Sequence, residues 1–329
     1  MLRDGPLTRF KLPVRLTSGE HILTHRRPLI VVWTPYFGHE WSDFKADHCD
    51  IIFDQSRAHE ADAILFHLRD TNPSDLPQKS INQKWILMNQ ESPINSGSRE
   101  VVNLIQNHID LTMTYKSDSS IKIPYGQIVN KHRNISISID FSRKSKDIAW
   151  FVSNCQTESR RENLVQKLEQ LMSVDVYGRC GNHRCPKSSS GQDECYQMLS
   201  RDYKFYLSLE NSLCDDYVTE KLFNVLRYDV IPVVYGGANY SKILPPNSYI
   251  DVQDFTTIQT LVNYLKKVGN DERLYRSYFD WKQSKSSVEV DMGLTLCEYM
   301  LKPRNQPKRT KSLYDWWFTG TCHSLNMYF

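Results

Sequence analysis

The sequence predicts an α/β protein made of two parallel-sheet domains that face each other across a cleft. Three observations predict it. Short apolar runs of strand length alternate with stretches of helical period. The same grammar restarts after FSRKSKD (141–147), giving two sets rather than one long sheet. Strands that alternate with helices imply parallel sheets covered on both faces. Ligands of such sheets bind beyond the carboxyl ends of the strands, so two facing sheets place a site between them.

The elements follow in order. PLIVVW (28–33), CDIIF (49–53), ADAILFH (61–67), KWILMNQ (84–90) and DLTMTY (110–115) read as strands. Between the last two, EVVNLIQNHI (100–109) places Val101, Val102, Leu104, Ile105 and Ile109 on a helical period. In the second set, DIAWFVSN (147–154), VDVYG (174–178), YKFYLSLEN (203–211) and VIPVVYGG (230–237) are strands. Helices are expected over 158–172, with Leu164, Val165, Leu168, Leu171 and Met172 on one stripe, over 217–228, and over 257–268, with Ile258, Leu261, Val262, Leu265 and Val268 inward. The predicted division is an amino-terminal domain (1–145), a second domain (146–290) and a carboxy-terminal tail (291–329) that packs back across them.

Composition narrows the class. The chain has 329 residues, 40% apolar and 24% charged, which suits a packed globular protein. A net charge of +3 with scattered basic residues gives no continuous basic groove, so no nucleic-acid partner is expected. The one basic run, KPRNQPKRTK (302–311), reads as solvated surface. There is no G-x-G-x-x-G fingerprint and no Walker-type loop, so neither a redox dinucleotide nor ATP chemistry is supported. No apolar run is long enough to span a membrane, and MLRDGPLTRF lacks the apolar core of a signal peptide. Two readings stay open at this point: a cytosolic protein, or a lumenal domain whose anchor lies outside this chain.

Eight cysteines are present, three of them clustered as Cys180, Cys185 and Cys195. Their spacing fits no common zinc pattern, and disulfides of a secretory compartment are the competing reading. The sequons at Asn134 and Asn239 are compatible with that compartment.

The most informative stretch is YLSLENSLCDDYVTEKLFNVLRYDVIPVVYGG. It sets Glu210, Asn211, Glu220 and Lys221 around a strand–loop–helix junction. Free backbone N–H groups at a helix start suit a diphosphate, and Lys221 adds a full positive charge. The plain alternative is a capped surface helix with ordinary Glu and Lys. This stretch resembles the donor-binding signature of the α-1,3-fucosyltransferases. WTPYFG (33–38), NQESP (89–93), WFVSN (150–154) and VDVYG (174–178) match the same family in the same order, and the similarity spans roughly residues 28 to 280.

The resemblance implies a GT-B fold, two Rossmann-like domains facing across a cleft. The first domain would hold the acceptor and the second GDP-fucose. It implies Glu91 as the general base of an inverting transfer. It implies donor contacts from Asn154, Arg160 or Arg161, Tyr177, Glu210, Asn211, Tyr217, Glu220 and Lys221, with an Arg on the pyrophosphate. Trp33 and Phe37 would touch the acceptor or shape the cleft. No metal ligand and no essential cofactor are expected, although manganese stimulates some members. Asp215, Asp216 and Asp175 do not form an Asp-x-Asp pair.

The tail departs from one branch of the family. Leu294 stands where a C-x-x-C would begin, so the pairing typical of that branch cannot be carried over. Cys180, Cys185, Cys195 and Cys214, with YGGANYS, resemble invertebrate members that fucosylate the N-glycan core. The implied partners are GDP-fucose and an N-glycan or glycopeptide acceptor. The implied product is an α-1,3 fucose on the innermost Asn-linked N-acetylglucosamine. A Lewis-type enzyme acting on antennal N-acetyllactosamine and an inactive glycan-binding relative are the alternatives. The implied setting is the Golgi lumen, on a single-pass type II anchor absent from this chain.

Overall fold

The computed structural model describes residues 26–42, 44–97, 99–184, 193–302 and 311–324. Cys185, nearly all of the basic run at 302–311 and the first 25 residues of the predicted amino-terminal domain lie outside them.

Two parallel sheets carry the fold. The first holds β1 (Leu29–Val32), β2 (Asp50–Ile52), β3 (Ala63–His67), β4 (Lys84–Asn89), β5 (Leu111–Thr114) and β6 (Ile121–Lys122), in the order β2-β1-β3-β4-β5-β6. A short antiparallel pair joins β7 (Gln127–Asn130) to β13 (Lys285–Val288). The second sheet holds β8 (Lys146–Phe151), β9 (Val174–Tyr177), β10 (Tyr203–Leu209), β11 (Ile231–Tyr235) and β12 (Ile250–Asp251), in the order β12-β11-β10-β8-β9. Counted from its own first strand, the first sheet runs 2-1-3-4-5-6 and the second 2-1-3-4-5, so each has a switch point beside its first strand, where neighbouring crossovers leave in opposite directions.

The helices are α1 (Arg99–Ile105), α2 (Arg161–Glu169), α3 (Asp193–Asp202), α4 (Glu220–Phe223), α5 (Tyr240–Ile243), α6 (Ile258–Asn270), α7 (Glu272–Ser277), α8 (Met292–Leu301) and α9 (Leu313–Phe318). In the second sheet, Ile148, Trp150, Phe205, Leu207, Ile231 and Val233 face α2 and α6. The alternate residues Ala149 and Tyr206 pack with Leu199 of α3, joined by Tyr203 from the first position of β10. Strand side chains alternate between faces, so both faces need apolar residues when both are covered.

The first sheet has little helix of its own, and the carboxy-terminal tail covers it. On one face, Leu313, Trp316, Trp317 and Phe318 of α9 join α1 against Val31, Phe66 and Leu87. On the other, Leu296 and Cys297 of α8 pack on Val32, Leu65 and Met88. The Cys49–Cys297 disulfide pins α8 to the start of β2.

The helix expected over 217–228 is much shorter. Thr219 caps α4, its side chain accepting from Lys221 N, and the helix gives way to a 3-10 turn at Val225–Arg227. The cause is Glu210, whose carboxylate takes the Thr219 N–H (2.8 Å) and hydroxyl (2.9 Å) and so fixes Thr219 as the cap and Glu220 as the first helical residue.

Candidate active site

The two sheets present the carboxyl ends of β4 and β10 to one another. The segment after β4 (89–96) meets the segment after β10 (210–217). Ser92 Oγ lies 2.8 Å from Ser212 Oγ, and Asn95 Nδ2 donates to Ser212 Oγ at 2.9 Å. Asp216 reaches across to the first half, accepting from Ser117 N (2.9 Å) and Ser117 Oγ (2.7 Å). Gly237 closes the second-half wall. A Cβ there would lie 2.6 Å from backbone atoms of Leu213 and Cys214, so only glycine lets the YGG turn approach so closely.

Glu91 stands on this seam, half-buried. Its Oε2 accepts from the Tyr217 hydroxyl at 3.2 Å, and its carbonyl accepts from Asn89 Nδ2 at 2.9 Å. Gln90 beside it is gripped by two phenols: Tyr125 donates to its carbonyl (2.9 Å) and Tyr36 to its Oε1 (3.2 Å). Burial pushes the Tyr36 phenol up to about 12, and the negative fields of Glu91 and Glu220 add to this. Tyr36 therefore lies in the field of one carboxylate from each half of the chain.

In the second half, Glu210, Asn154 and Arg161 converge at the switch point between β8 and β10. Arg161 is 3% exposed. It donates to Leu209 O (2.5 Å) and Asn154 O (3.3 Å), lies over the Trp150 ring, and leaves Nε without a hydrogen-bond partner among the described residues. No carboxylate of the described residues pairs with it at salt-bridge distance. Burial lowers its proton affinity and nearby Glu210 opposes the shift. A buried guanidinium with an unpartnered Nε–H and no carboxylate at salt-bridge distance among the described residues is matched to an anion.

The adjacent Arg160 is exposed and takes the left-handed conformation (φ 52°) that starts α2. The turn before α2 is stitched to the β10 loop: Ser159 N donates to Asn211 O (3.1 Å) and Ser159 Oγ to Glu210 O (2.7 Å). Asn211 Oδ1 accepts from Ser212.

Lys221 Nζ donates to Thr219 Oγ1 at 2.9 Å and lies 3.4 Å from Glu210 and 3.2 Å from Glu220. Burial pulls the Lys221 ammonium down, but Glu210 and Glu220 together hold it above its ordinary value. Burial pushes the Glu210 carboxyl up, with Lys221 opposing. Glu210 is buried, and its oxygens serve Thr219 and Lys221; Glu220 is exposed at the cleft.

Other expected residues lie elsewhere. Tyr177 points into the core, its hydroxyl 2.9 Å from that of Tyr203 and its ring on Phe151. Trp33 is turned to its own domain, donating to Asp75 O at 2.6 Å. Phe37 sits at φ 53° on a loop clamped by Asp70, which accepts from Phe37 N (2.8 Å) and Gly38 N (2.9 Å). Asp70 in turn binds the buried His67 at 2.5 Å. This clamp, the Gln90 grip and the serine seam carry no sequence signature. The three aspartates are each engaged: Asp215 with His323, Asp216 with Ser117, and Asp175 with Lys146 and Tyr203.

Comparison with known proteins accounts for both halves. Residues 25–126 match the model of the fucosyltransferase amino-terminal domain, and residues 141–316 that of the glycosyltransferase family 10 (fucosyltransferase) carboxy-terminal domain. Alpha-(1,3)-fucosyltransferase C of Drosophila melanogaster is 36% identical over 88% of this chain and 78% of its own length. Glycoprotein 3-alpha-L-fucosyltransferase A of the same species is 34% identical over 82% of this chain and 54% of its own length. A 4-galactosyl-N-acetylglucosaminide 3-alpha-L-fucosyltransferase of Pan troglodytes is 35% identical over 89% and 83%. A crystal structure of an alpha1,3-fucosyltransferase with GDP-fucose shares the fold, with a TM-score of 0.56 at 16% identity over 80% of this chain and 85% of that one. Two parallel sheets in the GT-B arrangement, a Glu91–Tyr217 contact between the halves with a buried arginine at the β10 end, and family matches over both halves agree: the chain belongs to glycosyltransferase family 10, the fucosyltransferases.

Proposed function

We propose that this chain transfers L-fucose from GDP-fucose, with inversion, to the 3-hydroxyl of N-acetylglucosamine, and that its acceptor is the innermost Asn-linked residue of an N-glycan. The observation that carries the reading is the seam where Glu91 of the first half accepts from Tyr217 of the second, with buried Arg161 and the Lys221–Glu220 pair gathered around the end of β10. In this reading the first half (1–145) holds the acceptor and the second (146–290) the donor.

Glu91 accepts the proton of the 3-hydroxyl as that oxygen attacks C1 of fucose. The bond from C1 to the β-phosphate oxygen breaks on the opposite face, and its electron pair leaves with GDP. The β-linked donor thus gives an α product. Arg161 and Lys221 meet the charge that grows on the leaving diphosphate. Their charges are fixed before reaction, so no reorganisation is needed as the bond breaks. Glu220 accepts hydrogen bonds from donor hydroxyls. Asn154, Arg160, Asn211 and Tyr217 border the same space, while Tyr177 contributes through the β9 end on which it sits.

Three disulfides, Cys49–Cys297, Cys155–Cys180 and Cys214–Cys322, support an oxidising compartment. Exposed Asn134 and Asn239 agree with it. We place the domain in the Golgi lumen, carried by a type II anchor outside this chain. Among the described residues no helix is long and apolar enough to cross a membrane.

The test is product mapping with GDP-fucose and three acceptors: trimmed N-glycopeptides, the same glycans already α-1,6-fucosylated, and free N-acetyllactosamine. Fragmentation should place an α-1,3 fucose on the innermost residue. Exclusive modification of N-acetyllactosamine would replace the core acceptor with the antennal one, and GDP binding without transfer would refute the enzyme.

A further inference from the structure

We propose that Tyr217 is a positioning residue for Glu91, supplied by the second half of the chain and braced by the carboxy-terminal strap. The inference rests on Glu91 acting as the base.

Tyr217 is 1% exposed, yet its hydroxyl leaves its own half and donates to Glu91 Oε2 at 3.2 Å. A buried phenol has one proton to give, and here that proton goes to the carboxylate. One carboxylate oxygen is thereby fixed, and Oε1 is left for the acceptor hydroxyl. Burial, with Tyr125, Glu210 and Glu91 adding, pushes the Tyr217 phenol well up, so it stays a neutral donor through the working pH range.

The ring behind that hydroxyl is braced through a chain of contacts. Tyr217 packs on Tyr115 with centroids 5.1 Å apart, and Tyr115 packs on Trp317 of α9 at 5.9 Å. Trp317 Nε1 donates to Ser96 Oγ at 2.9 Å, and Ser96 Oγ to Pro93 O at 3.0 Å. Both residues belong to the loop that carries Glu91, so the chain of contacts closes on itself. The turn bearing Tyr217 is tied to the same strap by the Cys214–Cys322 disulfide and by Asp215 N on Thr321 O at 2.8 Å. Glu91 is therefore oriented only while the second-half turn and the strap are seated against the first half.

A double-mutant cycle reads this directly, because residues that act through one another are non-additive. Tyr217→Phe keeps the ring and removes only the donor. It should lower kcat about tenfold at saturating substrates, leave GDP affinity within about twofold, and cause no further loss when added to Glu91→Gln. Ser96→Ala, which frees Trp317, should lower kcat in the same direction by less, and its effect should also vanish on the Glu91→Gln background. Losses that multiply in either double variant would overturn the proposal. So would a marked loss of GDP affinity in Tyr217→Phe, which would make the phenol a donor contact instead. Full turnover by Glu91→Gln alone would reject Glu91 as the base, a separate failure that the single variant exposes by itself.

Discussion

Arg161 shows what a single residue can reveal. In the sequence it was one of two adjacent arginines at a helix start, and nothing local distinguished them. Folding separates them: Arg160 adopts a left-handed turn and stays exposed, while Arg161 is buried with two carbonyl partners and an unpartnered Nε. The difference arises from the turn, whose φ of 52° swings consecutive side chains apart. Lysine at 161 would keep the charge and lose the planar fork. Arg161→Lys should weaken GDP binding by at least about tenfold in calorimetry, with the melting temperature changed far less. Unchanged GDP affinity would remove Arg161 from the diphosphate. Glu91 stood out in the sequence only as part of NQESP, and Tyr217 only as an expected donor contact; nothing local joined the two. Hydrogen bonds between segments 126 positions apart leave no mark in local sequence.

Among the elements, the strands were the most legible, because buried parallel strands read as continuous apolar runs. LIVV, AILFH, KWILMN and IPVVY all became sheet. The helix over 217–228 was the poorest, because its period is helical while Glu210 dictates where it begins. A second, half-buried carboxylate offers a pH test. Asp251 ends β12 and caps the following turn by accepting from Gln253 N at 2.9 Å. Burial pushes its carboxyl up to about 6, the Gln253 N–H opposes, and Asp254 adds to the rise. A folded value above the unfolded one means the group favours folding at low pH, and that contribution is lost as pH rises from about 4 through about 6. Asp251→Asn keeps the cap and removes the charge. It should stabilise the protein by about 1 kcal/mol at pH 7.5, allowing for partial exposure, and the gain should shrink towards zero near pH 4. Denaturant melts across that range check it, and a gain independent of pH would contradict the assignment.

At the scale of the whole molecule, the tail completes the first domain. α8 and α9 cover opposite faces of the first sheet, and the Cys49–Cys297 bridge spans a separation of 248 residues. The sequence expectation of a returning tail came without a partner surface, since contacts so remote have no periodicity to betray them. Cys214–Cys322, 108 residues apart, ties the strap to the turn beside the cleft. Replacing both cysteines by serine should cost about 2–5 kcal/mol in denaturant unfolding and depress turnover more than GDP affinity. Equal stability with normal turnover would show that the strap stays seated without the bridge. The proposed function requires one cleft in which Glu91 of the first half activates an acceptor for a donor held by the second. The most direct measurement compares wild type with Glu91→Gln in fucose transfer from GDP-fucose at saturating acceptor, with GDP affinity measured alongside. Turnover should fall about a hundredfold, equivalent to roughly 2.7 kcal/mol of transition-state stabilisation, with GDP affinity unchanged; near-normal transfer by the variant would rule out Glu91 as the base.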